Sequence, residues 1–564
     1  MRRPAAILVA GAGPAGLALA LQAHDHGGEV RVIERRPEPF RPSRALILHA
    51  RTLEVLRPLG VTQALVARSD TAPAADLQLG SRLVRITLDD LALPDTAFPH
   101  LTLIRQADVE QVLAEAVAGR GIQIERGTEL TGVREGAAGV RAVLRSPAGD
   151  ELVVAGFVAG CDGPASTVRV QAGLGWPGRT YPVEVVLADV ELDGDLADDA
   201  ARVVAGRQGL VFAFRLGERA TWRLLATRPA GPDPPPPGQP GPPVPAAEVQ
   251  ALIDQGGLNA RITDLAWSAR YRLQLRVASR FRRGRLFLAG DAAHAFSPAT
   301  GQGMNAAIQD AANLGWKLAF AAARPGAGIL LDSYDLERRP VARQVLAMTH
   351  LAFWAEAGTG PVSSTLRGRL APLAAPLVPA LMSRRRLVAE AVRLLSQLTV
   401  AYRGSPLSVE GTPRRRSGPQ AGCRLPDQLV TVAGRSIRLH ELLARPGVHI
   451  LLDRDADPIA AIPLGPFVTV YRLTSASGRG LAAVRPDGYI GFRCQDTDTR
   501  QLAAWLDRIG LAVGRRAAGT RWAGPTSLPR RTLVPRATLP GERTVAIRAC
   551  GCTPSPSGPR SIPR

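Results

Sequence analysis

The chain has 564 residues, of which 46% are hydrophobic, so we expect two or three globular domains and no stretch long and apolar enough to cross a membrane. Its formal net charge of +21 comes from arginines spread along the chain, which predicts neither a nucleic-acid partner nor a membrane surface. The five cysteines and eight histidines show no metal-ligand spacing, so no metal site is expected.

The first predicted element is a buried strand over residues 5 to 10, followed by a glycine-rich turn. The turn contains Gly11, Gly13, Pro14, Ala15 and Gly16. A helix of good formers begins at Leu17, and the N–H groups and dipole at a helix start suit a phosphate. A second predicted strand ends in Glu34, the usual position of a carboxylate that binds ribose hydroxyls. Together these features favour a dinucleotide site over a glycine turn that holds no ligand.

Two further motifs lie later in the chain. The first is Gly160-Cys161-Asp162-Gly163, and the second is Leu288-Ala289-Gly290-Asp291, with Gly301-Gln302-Gly303-Met304-Asn305 behind it. The second motif follows a predicted strand and leads into a predicted helix over residues 306 to 323. Glycines at such a turn allow a flat ring to approach the backbone, and the helix start offers N–H groups to a negative charge.

In this order, the three motifs resemble those of the p-hydroxybenzoate hydroxylase family, the single-component flavoprotein monooxygenases. The resemblance covers roughly residues 5 to 350. It implies FAD as the bound cofactor, NADPH or NADH as the co-substrate, and an aromatic small molecule and dioxygen as the reactants. In the implied reaction, reduced flavin adds dioxygen at C4a and the hydroperoxide transfers an oxygen atom to an electron-rich ring. Because the cofactor carries this chemistry, no catalytic triad is expected.

The resemblance assigns roles to residues at the adenosine end of FAD. Arg44 matches an arginine that reaches the pyrophosphate, although a solvated surface arginine stays the alternative. Gln106 matches a glutamine at the ribityl or adenosine portion, and Arg35, next to Glu34, belongs to the same cofactor-binding set. Asp162 and Gly163, with Arg169, match a segment that touches FAD and helps to bind the nicotinamide donor.

Other roles concern the flavin end. Asp291, after Gly290, matches a carboxylate that accepts hydrogen bonds from a ribityl hydroxyl. The residues expected at the pyrimidine edge of the flavin are Gly301, Gly303, Met304 and Asn305. The candidate catalytic residues are Pro298 and Gly301, since Pro298 matches a proline near the substrate and the flavin C4a. For His294, a structural role and a catalytic role both stay open.

The predicted fold class is α/β, with a discontinuous Rossmann-like FAD-binding domain at residues 1–74, 101–177 and 276–350. A mostly antiparallel substrate-binding sheet is expected at 75–100 and 178–275, and a helical linker at 351–404. Residues 405–515 resemble the thioredoxin-like domain of polyketide hydroxylases but lack a Cys-x-x-Cys pair, so we expect no redox role there. Residues 516–564 are expected to form a disordered tail.

Four further helices are predicted outside these motifs. They cover residues 108–118 with Asp108 as the cap, 332–356 with a "SYxxER" sequence typical of the family, 380–400 and 498–509.

The resemblance of the C-terminal domain to that of polyketide hydroxylases implies a bulky phenol or an aromatic polyketide as the substrate. We expect a monomer or homodimer in the cytoplasm, without a signal peptide. Two alternatives stay open: a flavin oxidoreductase that releases hydrogen peroxide without oxygen insertion, and a non-catalytic protein that retains FAD and sequesters a ligand. A flavin-dependent halogenase is disfavoured, because its Trp-x-Trp-x-Ile-Pro segment is missing and Lys317 lies within a predicted helix.

Overall fold

The computed structural model describes most of the chain. The described residues are 6–39, 45–79, 82–89, 91–194, 196–197, 199–206, 209–215, 220–236, 238–324, 326–358, 360–432, 435–459, 464–474, 477–511 and 542–547.

The strands are numbered in chain order. They are β1 (Ile7–Ala10), β2 (Val30–Glu34), β3 (Ile47–Leu48), β4 (Ala74–Leu79), β5 (Arg82–Thr87), β6 (Thr102–Leu103), β7 (Ile124–Arg126), β8 (Glu129–Gly136), β9 (Gly139–Ser146), β10 (Gly149–Ala155), β11 (Phe157–Gly160), β12 (Gly178–Gly194), β13 (Ala200–Gly206), β14 (Gly209–Phe214), β15 (Trp222–Pro229), β16 (Ala260–Val277), β17 (Arg282–Arg283), β18 (Leu286–Leu288), β19 (His294–Ala295), β20 (Val409–Glu410), β21 (Leu429–Val432), β22 (Arg435–Arg438), β23 (Val448–Asp453), β24 (Val468–Leu473), β25 (Leu481–Val484), β26 (Ile490–Cys494) and β27 (Glu542–Ile547).

The α-helices are numbered in the same way. They are α1 (Pro14–Asp25), α2 (Ala50–Leu56), α3 (Thr62–Ala67), α4 (Gln106–Gly119), α5 (Thr167–Gln171), α6 (Ala246–Gln255), α7 (Gln302–Ala323), α8 (Gly328–Ala357), α9 (Pro361–Thr365), α10 (Ala371–Ala374), α11 (Val378–Met382), α12 (Arg385–Leu395), α13 (Leu439–Leu442) and α14 (Thr499–Arg508).

A six-stranded, mostly parallel sheet forms the centre of the first unit, in the order β17-β18-β11-β1-β2-β7. All four residues of β1 are buried, as expected for a strand covered on both faces. Helices α1 and α7 pack against each other beside this sheet. A three-stranded sheet of β8, β9 and β10 and the short pair β3 and β6 complete this part of the fold.

An eight-stranded sheet, in the order β19-β16-β12-β15-β14-β13-β4-β5, forms the second unit. Its strands are antiparallel except for the pair β13 and β4. Alternate residues of β12 face opposite sides, because side chains in a strand alternate. Val186, Ala188 and Val190 pack beneath helix α6, whereas Val185 and Leu187 pack on the other face.

The C-terminal unit is built on a mixed sheet in the order β20-β26-β25-β23-β24-β27-β21-β22. Part of the segment predicted as a disordered tail forms a strand, which its composition does not predict. Glu542–Ile547 lies between β24, to which it is parallel, and β21, to which it is antiparallel. Ladder hydrogen bonds to two neighbouring strands supply an order that the composition of the tail does not reveal. The rest of residues 516–564 lies outside the described residues.

Several predicted helix bounds differ from those of the structure. Asp108 is not a cap: α4 begins two residues earlier, at Gln106, so the Asp108 carboxylate lies in the first turn and pairs with Arg105 at 2.7 Å. Helix α7 starts at Gln302 instead of residue 306, directly after a left-handed Gly301. The helix predicted at 380–400 is shorter, over Arg385–Leu395. The α14 prediction agrees within one residue, with Asp498 as its cap.

The α/β fold class is confirmed by this architecture. In the part of the chain that the structure describes, no helix is both long and apolar enough to span a membrane.

Candidate active site

Four strands of the parallel sheet end at one edge, and each is followed by a segment that the sequence singled out. In the register of these strands, Ala10 lies beside Gly160 and Ile33, and Gly160 lies beside Leu288. The glycine turn, Glu34 and the two later motifs therefore meet at the carboxyl ends of adjacent strands. Ligands of parallel α/β sheets bind at this edge.

The glycine turn is crowded at two positions and open at a third. Gly11 has φ +104°, and a Cβ there would lie 2.3 Å from the Cys161 carbonyl oxygen; at Gly16 it would lie 1.9 Å from the Gly11 oxygen. At Gly13 a Cβ would meet nothing within 4 Å. Helix α1 begins at Pro14 without a side-chain cap, and Ala15 lies in its first turn. The open space and the uncapped helix start fit a pyrophosphate.

The Glu34 carboxylate lies beside this turn. Its Oε2 accepts the Ala12 N–H at 2.9 Å, and its Oε1 accepts the Arg36 Nε–H at 3.0 Å. Burial raises the pKa of Glu34, but the hydrogen bonds from Arg36 and Ala12 outweigh it and lower that pKa below its usual value. The side chain is thus an ionised acceptor, as ribose hydroxyls require.

The described part of the chain shows no contact that tests the role of two arginines of the predicted cofactor set, Arg35 and Arg44. The side chain that pairs with Glu34 is Arg36, whereas Arg35 is exposed. Arg44 lies outside the described residues, so its contact with the pyrophosphate stays a prediction.

The segment after β11 contains an unsatisfied buried atom. Asp162 Oδ2 accepts the Val168 N–H at 3.2 Å, whereas Asp162 Oδ1 is buried with no hydrogen-bond partner in the described chain. Burial raises the pKa of Asp162, against the hydrogen bonds that it accepts. Gly163 has φ +79°, and a Cβ there would meet nothing within 4 Å. A buried carboxylate oxygen without a partner is costly, so Asp162 Oδ1 is a candidate acceptor for a hydrogen bond from a ligand.

Arg169 is buried and connects two loops. Its guanidinium donates to the Pro164 and Ala292 carbonyl oxygens at 2.6 and 2.9 Å, and it lies 4.0 Å from the centre of the Trp176 ring. The part predicted for Arg169 in binding FAD and the nicotinamide donor stays a prediction.

The loop after β18 is pressed between two helices. Gly290 has φ +62°, and a Cβ there would lie 3.1 Å from the Cβ atoms of Ala15 and Ala307. Asp291 follows within a 3₁₀ turn over Gly290–Ala292 and is half-buried. The loop therefore holds Asp291 close to the start of α1.

The start of α7 adjoins this loop. Pro298 is followed by Thr300 and Gly301, which both have φ +64°. Helix α7 begins without a side-chain cap and without an acidic residue in its first turn, so its N–H groups and dipole suit an anionic ring edge. At Gly303 a Cβ would meet nothing within 4 Å, whereas Met304 is buried.

The side chains of Asn305 and Gln106 are used within the chain. Asn305 Nδ2 donates to the Ile47 and Gly301 carbonyl oxygens at 2.9 and 2.7 Å, and its Oδ1 accepts the His49 N–H at 2.8 Å. Gln106 Nε2 donates to Glu110 at 2.8 Å. Asn305 thus fixes the helix start against the strand pair β3 and β6.

The sequence analysis gave no role to two residues that contact the loop after β18 directly or through one another. Asp310 on α7 and Arg338 on α8 are fully buried and joined at 2.7 Å. Arg338 belongs to the SYxxER sequence, which predicted a helix but no role for this side chain, and Asp310 had no separate signal. Among the described residues, no group of His, Cys, Asp and Glu side chains is arranged to hold a metal ion.

Comparison with known proteins agrees with this geometry. Residues 4–349 match the FAD binding domain family, and residues 418–510 match the C-terminal domain of aromatic-ring hydroxylases. The chain is 32% identical to 6-methylpretetramide 4-monooxygenase of Streptomyces rimosus, over 91% of this chain and 95% of the relative. It is 30% identical to pentachlorophenol 4-monooxygenase of Sphingobium chlorophenolicum, over 78% of both chains.

Solved structures show the same architecture. The anhydrotetracycline hydroxylase OxyS of Streptomyces rimosus superposes with a TM-score of 0.74 at 28% identity, covering 90% of this chain and 99% of that one. The ternary complex of aklavinone-11 hydroxylase with FAD and aklavinone has a TM-score of 0.70 at 25% identity, covering 90% and 99%. The p-hydroxybenzoate hydroxylase fold expected from the sequence is confirmed. This chain therefore belongs to the FAD-dependent aromatic-ring hydroxylases, a family of flavoprotein monooxygenases.

Proposed function

We propose that the protein uses FAD and NADPH or NADH to hydroxylate a bulky aromatic substrate, a phenol or a polyketide. The observation that carries the proposal is the meeting of four chain segments at one edge of the parallel sheet. The names of the relatives support the substrate class, since they refer to a tetracycline-type polyketide and to a chlorinated phenol.

Different residues at this edge bind different parts of the cofactor. Gly13 and the start of α1 hold the pyrophosphate, Glu34 the adenosine ribose, and Asp291 the ribityl chain. The start of α7 stabilises negative charge on the pyrimidine edge of the flavin through its uncapped N–H groups. When bound, FAD supplies the oxygen transfer itself, by way of the flavin C4a-hydroperoxide that the family resemblance implies.

The eight-stranded sheet offers an aromatic surface for the substrate. Phe212 and Phe214 on β14 are half-buried, and their rings stack at 5.5 Å between centroids with an angle of 6° between planes. Trp222 packs in the core beneath α6, and Phe212 also borders a smaller apolar cluster that contains Phe353 of α8. Stacked, partly exposed rings suit a flat polycyclic ligand, so we assign substrate contact to this pair and not to Trp222.

The test is consumption of NADPH and NADH by the purified yellow protein with a panel of phenols and polycyclic polyketides under labelled dioxygen. We expect the right substrate to accelerate flavin reduction by orders of magnitude and the product to contain one labelled oxygen atom. Reduction that yields only hydrogen peroxide with every substrate would identify a flavin oxidoreductase. No substrate-stimulated reduction at all would favour a ligand-sequestering protein.

A matched pair of variants tests the cofactor assignment. Asp291→Ala should lose FAD because it removes the acceptor for the ribityl chain. Asp264→Ala, at an exposed aspartate on β16, should retain it. Equal flavin content in the two purified variants would contradict the assignment.

A further inference from the structure

Helix α8 carries the sequence Ser333-Tyr334-Asp335-Leu336-Glu337-Arg338, and three of its side chains fix the segment that leads to Asp291. The Tyr334 hydroxyl donates to the Leu288 carbonyl oxygen at 2.7 Å. The Asp335 carboxylate accepts the Phe281 N–H at 2.7 Å. The third side chain, Arg338, acts through a residue of α7.

That residue is Asp310, whose carboxylate is fully buried. Its Oδ2 accepts the Gly290 N–H at 3.1 Å and lies 2.6 Å from His294 Nε2, so it holds both ends of the loop Gly290–His294. Its Oδ1 accepts the Arg338 Nε–H at 2.7 Å. Burial raises the pKa of Asp310, but His294 and Arg338 outweigh burial and lower that pKa below its usual value.

Arg338 has a second contact, which leads to the C-terminal unit. Its Nη1 donates to the Tyr402 hydroxyl at 3.0 Å. The Tyr402 ring lies 4.2 Å from the Tyr489 ring, and the Tyr402 N–H donates to the Gly422 carbonyl oxygen at 2.7 Å. A continuous chain of contacts thus runs from the C-terminal unit to the loop that carries Asp291.

We propose that Asp310 and Arg338 are positioning residues for the cofactor loop Gly290–His294, and that Tyr402 couples them to the C-terminal unit. The inference rests on the proposed function, because it takes Asp291 as a residue that holds FAD. A buried carboxylate with a partner on each oxygen fixes its donors firmly, since an unpaired charge there is costly. The C-terminal unit then serves the flavin site without contributing a redox group.

The test compares FAD binding by three variants after removal of the cofactor. Asp310→Asn keeps the volume of the side chain but replaces one accepting oxygen with an N–H₂ group, which must face either Arg338 or the Gly290–His294 loop. We expect it to raise the FAD dissociation constant roughly tenfold. Tyr402→Phe removes one hydroxyl and keeps the ring contact, so a smaller increase, roughly threefold, is expected.

Arg343→Gln is the matched control, since Arg343 lies on the same helix as Arg338 but is exposed. It should bind FAD as the wild type does. The visible circular dichroism of the bound flavin should change in Asp310→Asn and Tyr402→Phe and not in Arg343→Gln, because it reports how the cofactor is held.

A merely structural role predicts a different result. In that case the variants unfold at lower temperature while the FAD dissociation constant and the dichroism stay unchanged, and this outcome would overturn the inference. If Asp310→Asn does not fold, Tyr402→Phe decides by the same two measurements. Asp291→Ala distinguishes failure of the proposed cofactor site from failure of the positioning inference. If this variant binds FAD normally, the proposed cofactor site is wrong. If it is the one variant that loses FAD, only the positioning inference is wrong.

Discussion

Polar groups are arranged differently at two places in the molecule. One is the carboxyl edge of the parallel sheet, and the other is the interface of α7 and α8 with the C-terminal unit. At the sheet edge, Gly13 and Gly303 face open space, and both neighbouring helices begin without a side-chain cap. At the interface, the buried Glu337 carboxylate accepts hydrogen bonds from Arg485 on both oxygens and from Lys317, each at 2.7 Å. Open space beside uncapped helix starts therefore distinguishes the ligand site, whereas the Glu337 carboxylate has its hydrogen bonds met within the chain.

The largest effect is expected from breaking the interface. Burial raises the pKa of Glu337, but Arg485 and Lys317 outweigh burial and lower that pKa below its usual range. Glu337→Gln leaves two buried cations without this counter-charge, so the free energy of unfolding should fall by about 3–5 kcal/mol. Urea unfolding of the FAD-free protein measures the loss.

The control for this variant is Glu115→Gln, which removes a partly exposed pair with Arg68. It should change the free energy of unfolding by about 0.5 kcal/mol or less. A similar loss in both variants would show that the buried network contributes no more than a surface pair.

The second prediction concerns the carboxyl edge of the parallel sheet, where the cofactor is assigned. Gly13→Ala should leave the unfolding temperature of the FAD-free protein nearly unchanged, because a Cβ there meets nothing within 4 Å. It should raise the FAD dissociation constant on the order of a hundredfold, about 2.8 kcal/mol, because the methyl group occupies the space assigned to the pyrophosphate. Thermal unfolding and FAD titration measure the two effects separately.

Gly11→Ala is the informative contrast, because its Cβ would lie 2.3 Å from the Cys161 carbonyl oxygen. That variant should lose stability even without FAD. If Gly13→Ala binds FAD as tightly as the wild type, the open space beside Gly13 does not hold the cofactor.

The third prediction concerns pH, and its effect per pH unit, about 1.4 kcal/mol, is the smallest of the three. The buried His26 joins α1 to the C-terminal unit, since its Nδ1 lies 2.7 Å from the Gln22 carbonyl oxygen and its Nε2 accepts the Gly447 N–H at 3.0 Å. Burial lowers the pKa of His26 from 6.5 to about 4. The folded pKa is below the unfolded one, so the stability from this group is complete above pH 6.5 and is lost as the pH falls toward 4.

His26→Gln should remove one such proton uptake from the acid limb. The slope of unfolding free energy against pH between 6.5 and 4 should then be lower by about 1.4 kcal/mol per pH unit. Parallel curves for the wild type and His26→Gln would contradict the protonation of His26 on unfolding.

The sequence predicted the parts of the site that are local. A strand, its turn and the following helix lie within a few residues of each other, so the segments around Gly11, Asp162 and Asp291 carried their own signals. Contacts between distant segments had no such signal: Arg485 and Glu337 are 148 residues apart. The strand Glu542–Ile547 was missed for the same reason, because its order comes from neighbouring strands and not from its composition.

The starts of two helices, α4 and α7, were predicted incorrectly for local physical reasons. Asp108 resembled a helix cap, but the preceding Gln106 is also a good helix former and the helix starts there. The side chain that pairs with Glu34 is Arg36, which alternation along the chain does not reveal, and the cofactor role of Arg35 stays a prediction. The start of α7 depended on a left-handed glycine, and the spacing of hydrophobic residues contains no information on that angle.

A crystal structure of the protein after reconstitution with FAD tests the central claim most directly. The account predicts the pyrophosphate against Gly13 and the start of α1, the adenosine ribose at Glu34, the ribityl chain at Asp291, and the pyrimidine edge at the start of α7. A cofactor bound away from this edge of the parallel sheet, or a protein that takes up no FAD, would contradict it.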